Sequence, residues 1–326
     1  MITPEVYIQV NDTYLFKGCH SFEIENSVNE LSTKGEVVLP LAAMYDNVKK
    51  KEKVLIHDAI NEGDTIKIIA GYTEDELYTL FNGYISTIDK DVRITLGVED
   101  AMYKLRQKPY VGEKEATNLL TIIKDIIDGV KDVGISKDTP SVPIDEFKYN
   151  GNAAGALATL KDQLSFVIYF DENNNLYAGG QQLDNVRNEV KAVYGQNIIK
   201  NRTSYKTEES TPLLIEVIGK AEDGTEIPVV EGMEGGNKKT FYLYNITNKE
   251  TLKKKAEEYH RKYSFTGFEG SIEMYGIPLA LPGGSVKYIN KNYEDQEGVY
   301  FVESVKYKLT KDKGYKQTIK LGARLS

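Results

Sequence analysis

The sequence predicts a mainly β protein, α+β overall, with two similar tube-like antiparallel β-barrel domains flanking an α+β insert. Three features support this fold class: alternating apolar runs occupy both ends of the chain, helical spacing marks the middle, and the two ends align with each other. At roughly 100 to 200 residues per domain, the 326 residues make two or three domains. The expected domains are residues 1–103, 104–195 and 196–326.

The first hundred residues read mainly as strands. Short alternating runs at 6–10, 21–25, 35–39, 64–69, 79–88 and 92–96 are bounded by turn residues. Between them, residues 41–48 follow Pro40 and precede the lysines at 49–51, which predicts a short helix with a favourable C-terminal charge. Several short strands in succession favour a small barrel or sandwich.

The middle of the chain changes to helical spacing. Apolar residues between Leu119 and Val130 recur at helical intervals, and Gly129 is placed to end the helix. A second helix is expected over 152–164 with Asn152 as its cap. Runs at 166–170 and 176–178, separated by the turn-rich segment 171–175, predict a hairpin.

The last third returns to strands at 213–217 and 226–230, followed by a glycine-rich loop at 232–236. Thr247 and Glu250 then form a capping-box pattern, and Leu252, Ala256 and Tyr259 belong to an apolar helical stripe. Strands are expected at 285–289, 299–309 and 315–321.

The two ends resemble each other at an offset of 220 residues. Segment 63–69 aligns with 283–289, Glu74 and Asp75 with Glu294 and Asp295, and Phe81 with Phe301, without a gap. Six of the 23 positions from 63 to 85 are identical. Segment 94–97 aligns with 319–322 after five extra residues. The alignment predicts duplicated β domains.

Composition and charge limit the function classes. Hydrophobic residues make up 40% and charged residues 28%, unlike a disordered chain. No apolar run approaches the ~18 to 20 residues of a transmembrane helix, and the first residues lack signal-peptide features. We therefore expect folding in the cytoplasm without stable membrane insertion.

Charge differs between the two ends. Residues 1–103 contain 9 Lys and Arg against 18 Asp and Glu, a net −9, whereas residues 196–326 contain 21 against 18, a net +3. Without a basic cluster, sequence-specific nucleic-acid binding is not expected. Opposite signs favour contact between the first part of one copy and the last part of another.

Signals for catalysis, cofactors or metals are weak. The single cysteine, Cys19, excludes an internal disulfide and a thiolate metal site, and the histidines His20, His57 and His260 lack a ligand cluster. Segment 171–182 begins like a calcium loop but has Leu176 and Gln182 where Gly and Glu are needed. Segment 232–239 misses the phosphate-loop spacing. We expect no enzyme activity and no cofactor.

The chain resembles the late control gene D family, the baseplate hub proteins of contractile-tailed phages and the hub part of type VI secretion spike proteins. The resemblance rests on the order of several segments rather than on any one motif, and it spans nearly the whole chain. The carrying segments are 64–68, 80–86, 156–160, 166–171, 276–284, 298–302 and 314–319.

This resemblance implies a structural role in the tail baseplate of a virion that is assembled in the cytoplasm of its bacterial host. A homotrimer would form a pseudo-six-fold ring between the tail tube protein and a separate spike protein, alongside other baseplate proteins. The expected lumen or interface positions are Thr65, Lys67, Ser285 and Lys287, which alternate on matching strands. Two alternatives remain at this point: a tail-associated cell-wall hydrolase, and a host-binding tail-tip module of a non-contractile tail.

Overall fold

A computed structural model describes residues 3–326 apart from 12, 48–49, 73–75, 185 and 222. Val48, Lys49, Glu74 and Asp75, which entered the sequence predictions, lie outside the described residues. Strands hold 52% of the residues and helices 16%, so the protein is mainly β, as predicted.

The elements of the first third are β1 (Glu5–Val10), β2 (Tyr14–Lys17), β3 (Ser21–Ser27), β4 (Lys34–Leu39), β5 (Ala42–Asn47), β6 (Lys50–Leu55), α1 (Ile56–Ala59), β7 (Thr65–Gly71), β8 (Tyr78–Lys90), β9 (Ile94–Glu99) and α2 (Met102–Gln107). The middle contains β10 (Pro109–Asn118), α3 (Leu119–Ile127), β11 (Gly134–Ile135), β12 (Pro143–Asn152), α4 (Ala153–Leu164), β13 (Val167–Phe170), β14 (Asn175–Gly179) and β15 (Glu189–Val193). The remainder contains β16 (Ile198–Lys206), β17 (Leu213–Lys220), β18 (Glu226–Gly232), β19 (Asn237–Tyr244), α5 (Lys249–Tyr263), β20 (Gly267–Tyr275), β21 (Ser285–Ile289), a short 3-10 helix (Glu294–Gln296), β22 (Gly298–Thr310) and β23 (Gly314–Arg324).

One sheet of 13 strands joins the two ends of the chain. Its main path runs β16-β20-β23-β22-β3-β4-β9-β8-β7-β1-β2, and β21 and β15 branch from β22. No sheet of the described residues closes into a barrel. The expectation of two separate barrels is therefore not met, because β22 of the last third pairs with β3 of the first third and makes both ends one open sheet.

The two ends nevertheless use the same strand order. In the first third the order is β7-β8-β9-β4-β3, and in the last third it is β21-β22-β23-β20-β16. In each series the second and third strands form a hairpin, β8–β9 and β22–β23. The two turns have the same length, because Lys90 pairs with Ile94 and Thr310 pairs with Gly314. The bulges of the two hairpins, after Ile85 and after Val302, match at an offset of 217, and Leu96 of the next strand matches Ile319 at an offset of 223. The second hairpin is therefore longer by six residues, where the sequence predicted five extra residues before 319–322.

The gapless alignment also fails at the preceding strand. Phe81 lies opposite Ile68, whereas the aligned Phe301 lies opposite Ser285 and not opposite Tyr288. The neighbours of these strands differ as well, because β7 pairs with β1 antiparallel and β21 pairs with β15 parallel. The identical residues in the alignment gave no indication of this difference in register.

Two hydrophobic cores lie on either side of the β13–β14 hairpin. Val167 and Tyr169 of β13 pack into the core beneath the large sheet, while Ile168 and Phe170 pack into the other core. The second core combines the insert helices α3 and α4 with β17, β19 and α5. The hairpin over 166–178 and both insert helices agree with the prediction from the sequence.

Two local predictions were wrong. Residues 42–47 form strand β5, paired with β6, in place of the helix predicted over 41–48. The cap of α5 is Asn248, whose side chain accepts a hydrogen bond from the Thr251 backbone N–H at 3.0 Å, and not Thr247. Among the described residues, no helix has the length and apolar character needed to traverse a bilayer.

Candidate functional site

The contact between β22 and β3 is the place where the two similar halves of the large sheet meet. Residues 304–310 pair antiparallel with residues 21–27, and Lys308 lies opposite Glu23 while Lys306 lies opposite Glu25. We call this pairing the seam. Because opposite residues of antiparallel strands project to the same side, the four charged side chains lie together on one face.

Ion pairs cross the seam between residues that are far apart in sequence. The Lys306 Nζ lies 3.1 Å from an oxygen of Glu23 and 3.0 Å from one of Glu25, and Lys308 also contacts Glu23. Hydrogen bonding from Lys308, together with Lys306, lowers the pKa of Glu23, while Glu25 and Glu23 raise the pKa of Lys306. Glu23 and Lys306 therefore each favour the ionised form of the other.

The same face of the sheet carries charge on both sides of the seam, opposite the face that covers the core. We call it the charged face. On β16, β20, β22 and β23 it carries seven basic and three acidic residues: Lys200, Arg202, Lys206, Lys306, Lys308, Lys316, Lys320, Glu269, Glu273 and Glu303. On β3, β4, β8 and β9 it carries one basic and five acidic residues: Lys34, Glu23, Glu25, Glu36, Asp89 and Glu99. The charged face is thus basic on one side of the seam and acidic on the other.

Two strand edges at the far ends of these halves have no strand partner in the described part of the chain. Residues 84–90 of β8 pair with β9 on one side. On the other side β7 ends its pairing at Tyr84, and Gly63 and Asp64 bond the Ile85 backbone, so residues 86–90 have an open edge. Strand β16 pairs with β20 on one side only. The corresponding residues of β22, 304–307, have strands on both sides.

Charged side chains mark both open edges. Asp89 is exposed on β8, and the Ile88 backbone N–H donates to the Glu62 carboxylate at 3.4 Å. On β16, Arg202 is exposed and Lys200 lies 3.6 Å from Glu273 with its side chain 51% accessible. The β8 edge is therefore acidic and the β16 edge is basic.

The four positions predicted from the sequence lie apart from the seam. Thr65 and Lys287 are exposed and Lys67 is half-buried on β7 and β21. Ser285 is only 1% exposed, its backbone N–H donates to the Asn188 carbonyl, and it offers no surface to a lumen or a partner. The roles of Thr65, Lys67 and Lys287 stay predictions.

Asp100 ties the large sheet to the insert. Its carboxylate accepts hydrogen bonds from the backbone N–H of Thr33 in the β3–β4 loop and from that of Met102 at the start of α2. Burial raises the pKa of Asp100 to about 7, and the neighbouring Glu99 acts in the same direction. Glu99 in turn pairs with Arg106 of α2.

The segments that were weighed as ligand loops have structural roles. The Asp171 carboxylate accepts from the backbone N–H groups of Asn173 and Asn175, each at 2.8 Å, and closes the β13–β14 turn. Residues 233–236 connect β18 to β19. In the part of the chain that the structure describes, no group of His, Cys, Asp or Glu side chains has the arrangement of a metal site.

Sequence reasoning missed the residues of the seam and of the open edges. The opposite net charges of the two chain ends were the one feature of the sequence that pointed to these residues, but net charge does not show which strands carry it. Strands β16 and β20 were not predicted, so Lys200 and Arg202 could not be placed at an edge.

Solved structures with the same fold come from phage tails and from a secretion machine. A tail protein from Neisseria meningitidis MC58 superposes with a TM-score of 0.69 at 12% identity, covering 98% of this chain and 96% of that one. The 43 kDa tail protein of prophage MuSo2 from Shewanella oneidensis gives 0.64 at 17% identity, covering 98% of both chains.

An E. coli component of the type VI secretion system, described as structurally similar to T4 bacteriophage tail proteins, gives a TM-score of 0.60 at 9% identity, covering 98% of this chain and 77% of that one. Neither a family model nor a curated protein sequence matches the chain. The resemblance to tail hub proteins is confirmed at the level of the fold.

Proposed function

We propose that the protein is a structural baseplate hub of a contractile tail or related injection machine. Three copies form a ring that joins the tail tube to a separate spike protein, next to other baseplate proteins. The role is structural rather than catalytic, and the site of action is the virion tail after assembly in the host cytoplasm. The fold shared with tail proteins over 98% of the chain supports this proposal.

The proposal rests on one difference between two equivalent strands: β22 has a strand partner on both sides, whereas among the described residues the end of β8 has a partner on one side only. Residues 304–307 of β22 have β3 as a partner, whereas the equivalent residues 87–90 of β8 have no strand partner on that side in the described part of the chain. Strand β16, which occupies the place of β3 in its own half, also has an open edge. Pairing β8 of one copy with β16 of the next repeats the seam between chains.

Repeating the seam closes a ring with pseudo-six-fold symmetry. Each chain supplies two similar halves, proposed to be residues 1–103 and 196–326, with residues 104–195 as the peripheral insert. Three chains then provide six halves joined by six related seams. A heterologous contact of this kind generates a closed ring when its rotation fits, and it covers the β8 and β16 edges.

In this ring the charged face lines the channel and the core lies outside it. Thr65, Lys67 and Lys287 are then proposed lumen or interface positions. Ser285 is left out of this set because it is buried within the chain. Such obligate contacts bury on the order of 2,000 Å² or more.

The mass of the purified protein in solution tests the proposal. Light scattering after size-exclusion chromatography is expected to give three times the chain mass of 36.7 kDa, and negative-stain images are expected to show rings. A monomer at micromolar concentration without rings, alone and after addition of the cognate spike protein, argues against the hub.

A further inference from the structure

We infer that the charges at the two open edges impose head-to-tail pairing, with Asp89 of one copy lying beside Arg202 and Lys206 of the next. The inference rests on the proposed ring and adds the residues that give its contacts their direction. It concerns β8 residues 86–90 and the strand β16.

The internal seam shows which charge pattern joins two halves in this fold. Lys306 and Lys308 belong to the basic half, and Glu23 and Glu25 belong to the acidic half. Their Nζ and carboxylate oxygens meet across a strand pair that is held by backbone hydrogen bonds. Backbone bonds alone accept any strand, whereas complementary charges select the partner and its register.

The open edges carry the same two signs in the same two halves. Arg202 and Lys206 lie on β16 in the basic half, and Asp89 lies on β8 in the acidic half. By their cross-strand partners, Asp89 corresponds to Lys306 and Ser204 corresponds to Glu25. Repeating the register of the seam therefore places Asp89 opposite Ser204, with Arg202 and Lys206 as its diagonal neighbours. Glu62, which accepts from the Ile88 backbone N–H, adds a second carboxylate at the β8 edge. Lys90 pairs with Ile94 and therefore belongs to the opposite face of the sheet.

The charges at these edges also disfavour contacts between two identical edges. Two β16 edges placed together would bring Arg202 and Lys206 against the same residues of another copy, and two β8 edges would bring Asp89 against Asp89. Like charges placed directly opposite each other across two strands are destabilising. Only the β8–β16 contact joins opposite signs, and this contact is the one that can close a ring.

Charge reversal tests the inference in the intact chain. Asp89→Arg alone and Arg202→Asp alone are each expected to weaken trimer formation by about tenfold or more. The double variant, with both changes, is expected to restore trimers because the signs again oppose. Asp128→Arg, an exposed position at the end of α3 in the insert, is the matched control and should leave the trimer unchanged.

Carbodiimide cross-linking, which joins a carboxylate to a lysine amine in contact, identifies the residues directly. In a mixture of light and isotopically heavy chains, the Asp89–Lys206 link is expected between chains of different mass. The Glu23–Lys306 link within one chain serves as an internal control.

The possible results separate this inference from the proposed hub. If the wild type forms trimers and neither reversal weakens them, or the double variant does not restore them, the inference is overturned and the hub is left intact. A wild type that stays monomeric and yields no cross-link between chains overturns both.

Discussion

Lys306 of β22 lies 3.1 Å from the Glu23 carboxylate of β3, although the two residues are 283 positions apart in the chain. This ion pair, together with Lys308, joins the two similar halves of the sheet on its charged face. The side chains are partly exposed, so each pair contributes modestly to stability while fixing which strands meet.

The first prediction concerns Glu23. Because Glu23→Gln removes the partner of Lys308 and one partner of Lys306, the free energy of unfolding at pH 7 is expected to fall by about 0.5 to 1 kcal/mol. The lowered pKa of Glu23 means that its contribution is present above the ordinary value of 4.5 and is lost as the pH falls through the lowered value. Urea denaturation at pH 7 and pH 3 measures this difference.

The control for this prediction is Glu30→Gln, an exposed position in the β3–β4 loop. It should unfold like the wild type at both pH values. A stability difference for Glu23→Gln that is as large at pH 3 as at pH 7 contradicts the ionic explanation.

The second prediction concerns Asp100. Its pKa of about 7 in the folded protein exceeds the ordinary value of 3.8, so the folded state holds a proton that the unfolded state has released between these values. The contribution of Asp100 to stability is therefore full below about pH 4 and decreases as the pH rises through 7. Asp100→Asn is expected to flatten the fall in unfolding free energy between pH 5 and pH 8, measured by urea denaturation.

The control for the Asp100 variant is a substitution of a carboxylate that does not join the insert to the sheet. Glu30→Gln serves here as well, and its stability should follow the wild-type pH dependence. An Asp100→Asn variant with an unchanged slope between pH 5 and pH 8 would falsify the assignment.

The third prediction compares two buried tyrosines. Tyr307 donates a hydrogen bond to the Ala280 carbonyl at 2.6 Å, whereas the Tyr315 hydroxyl is buried without a hydrogen-bond partner among the described residues. Tyr307→Phe leaves a buried carbonyl unpaired and should destabilise by about 1 to 3 kcal/mol. Tyr315→Phe removes an unpaired hydroxyl and should be neutral or stabilising. Thermal unfolding of both variants provides the test, and equal losses would contradict it.

The fourth prediction distinguishes the two candidate caps of α5. Asn248→Ala removes the side chain that accepts from the Thr251 N–H and should cost about 1 kcal/mol. Thr247→Ala should change the unfolding free energy by less than about 0.5 kcal/mol. Denaturant unfolding measures both, and the reverse ranking would restore the capping box predicted from the sequence.

The fifth prediction returns to the strand positions. Lys67→Glu and Lys287→Glu lie at half-buried and exposed sites, so each should alter the unfolding free energy by less than about 0.5 kcal/mol. If these lysines line the lumen or an interface, the variants change assembly and not folding. Scattering mass and unfolding midpoint, measured on the same samples, check both parts. A loss of stability with unchanged assembly contradicts the proposed role.

The helices of the insert could be predicted from local features of the sequence. Apolar spacing placed the helix that runs from Leu119 to Ile127, and Asn152 caps α4 by accepting from the Gly155 N–H. These features depend on neighbours within one turn of helix. The segment at 42–47 was misread because its pairing with β6 decides its structure, and Pro40 and the lysines carry no information about that pairing.

The duplicated strand order was visible in part from the sequence, because both halves bury the same strand faces and repeat their apolar alternation. The sequence also revealed the opposite charges of its two ends. Only the tertiary structure decided that β22 pairs with β3, that β8 and β16 keep open edges, and that Lys306 meets Glu23. Such contacts join strands hundreds of residues apart, and their register depends on bulges, loop lengths and neighbouring strands that no local pattern encodes.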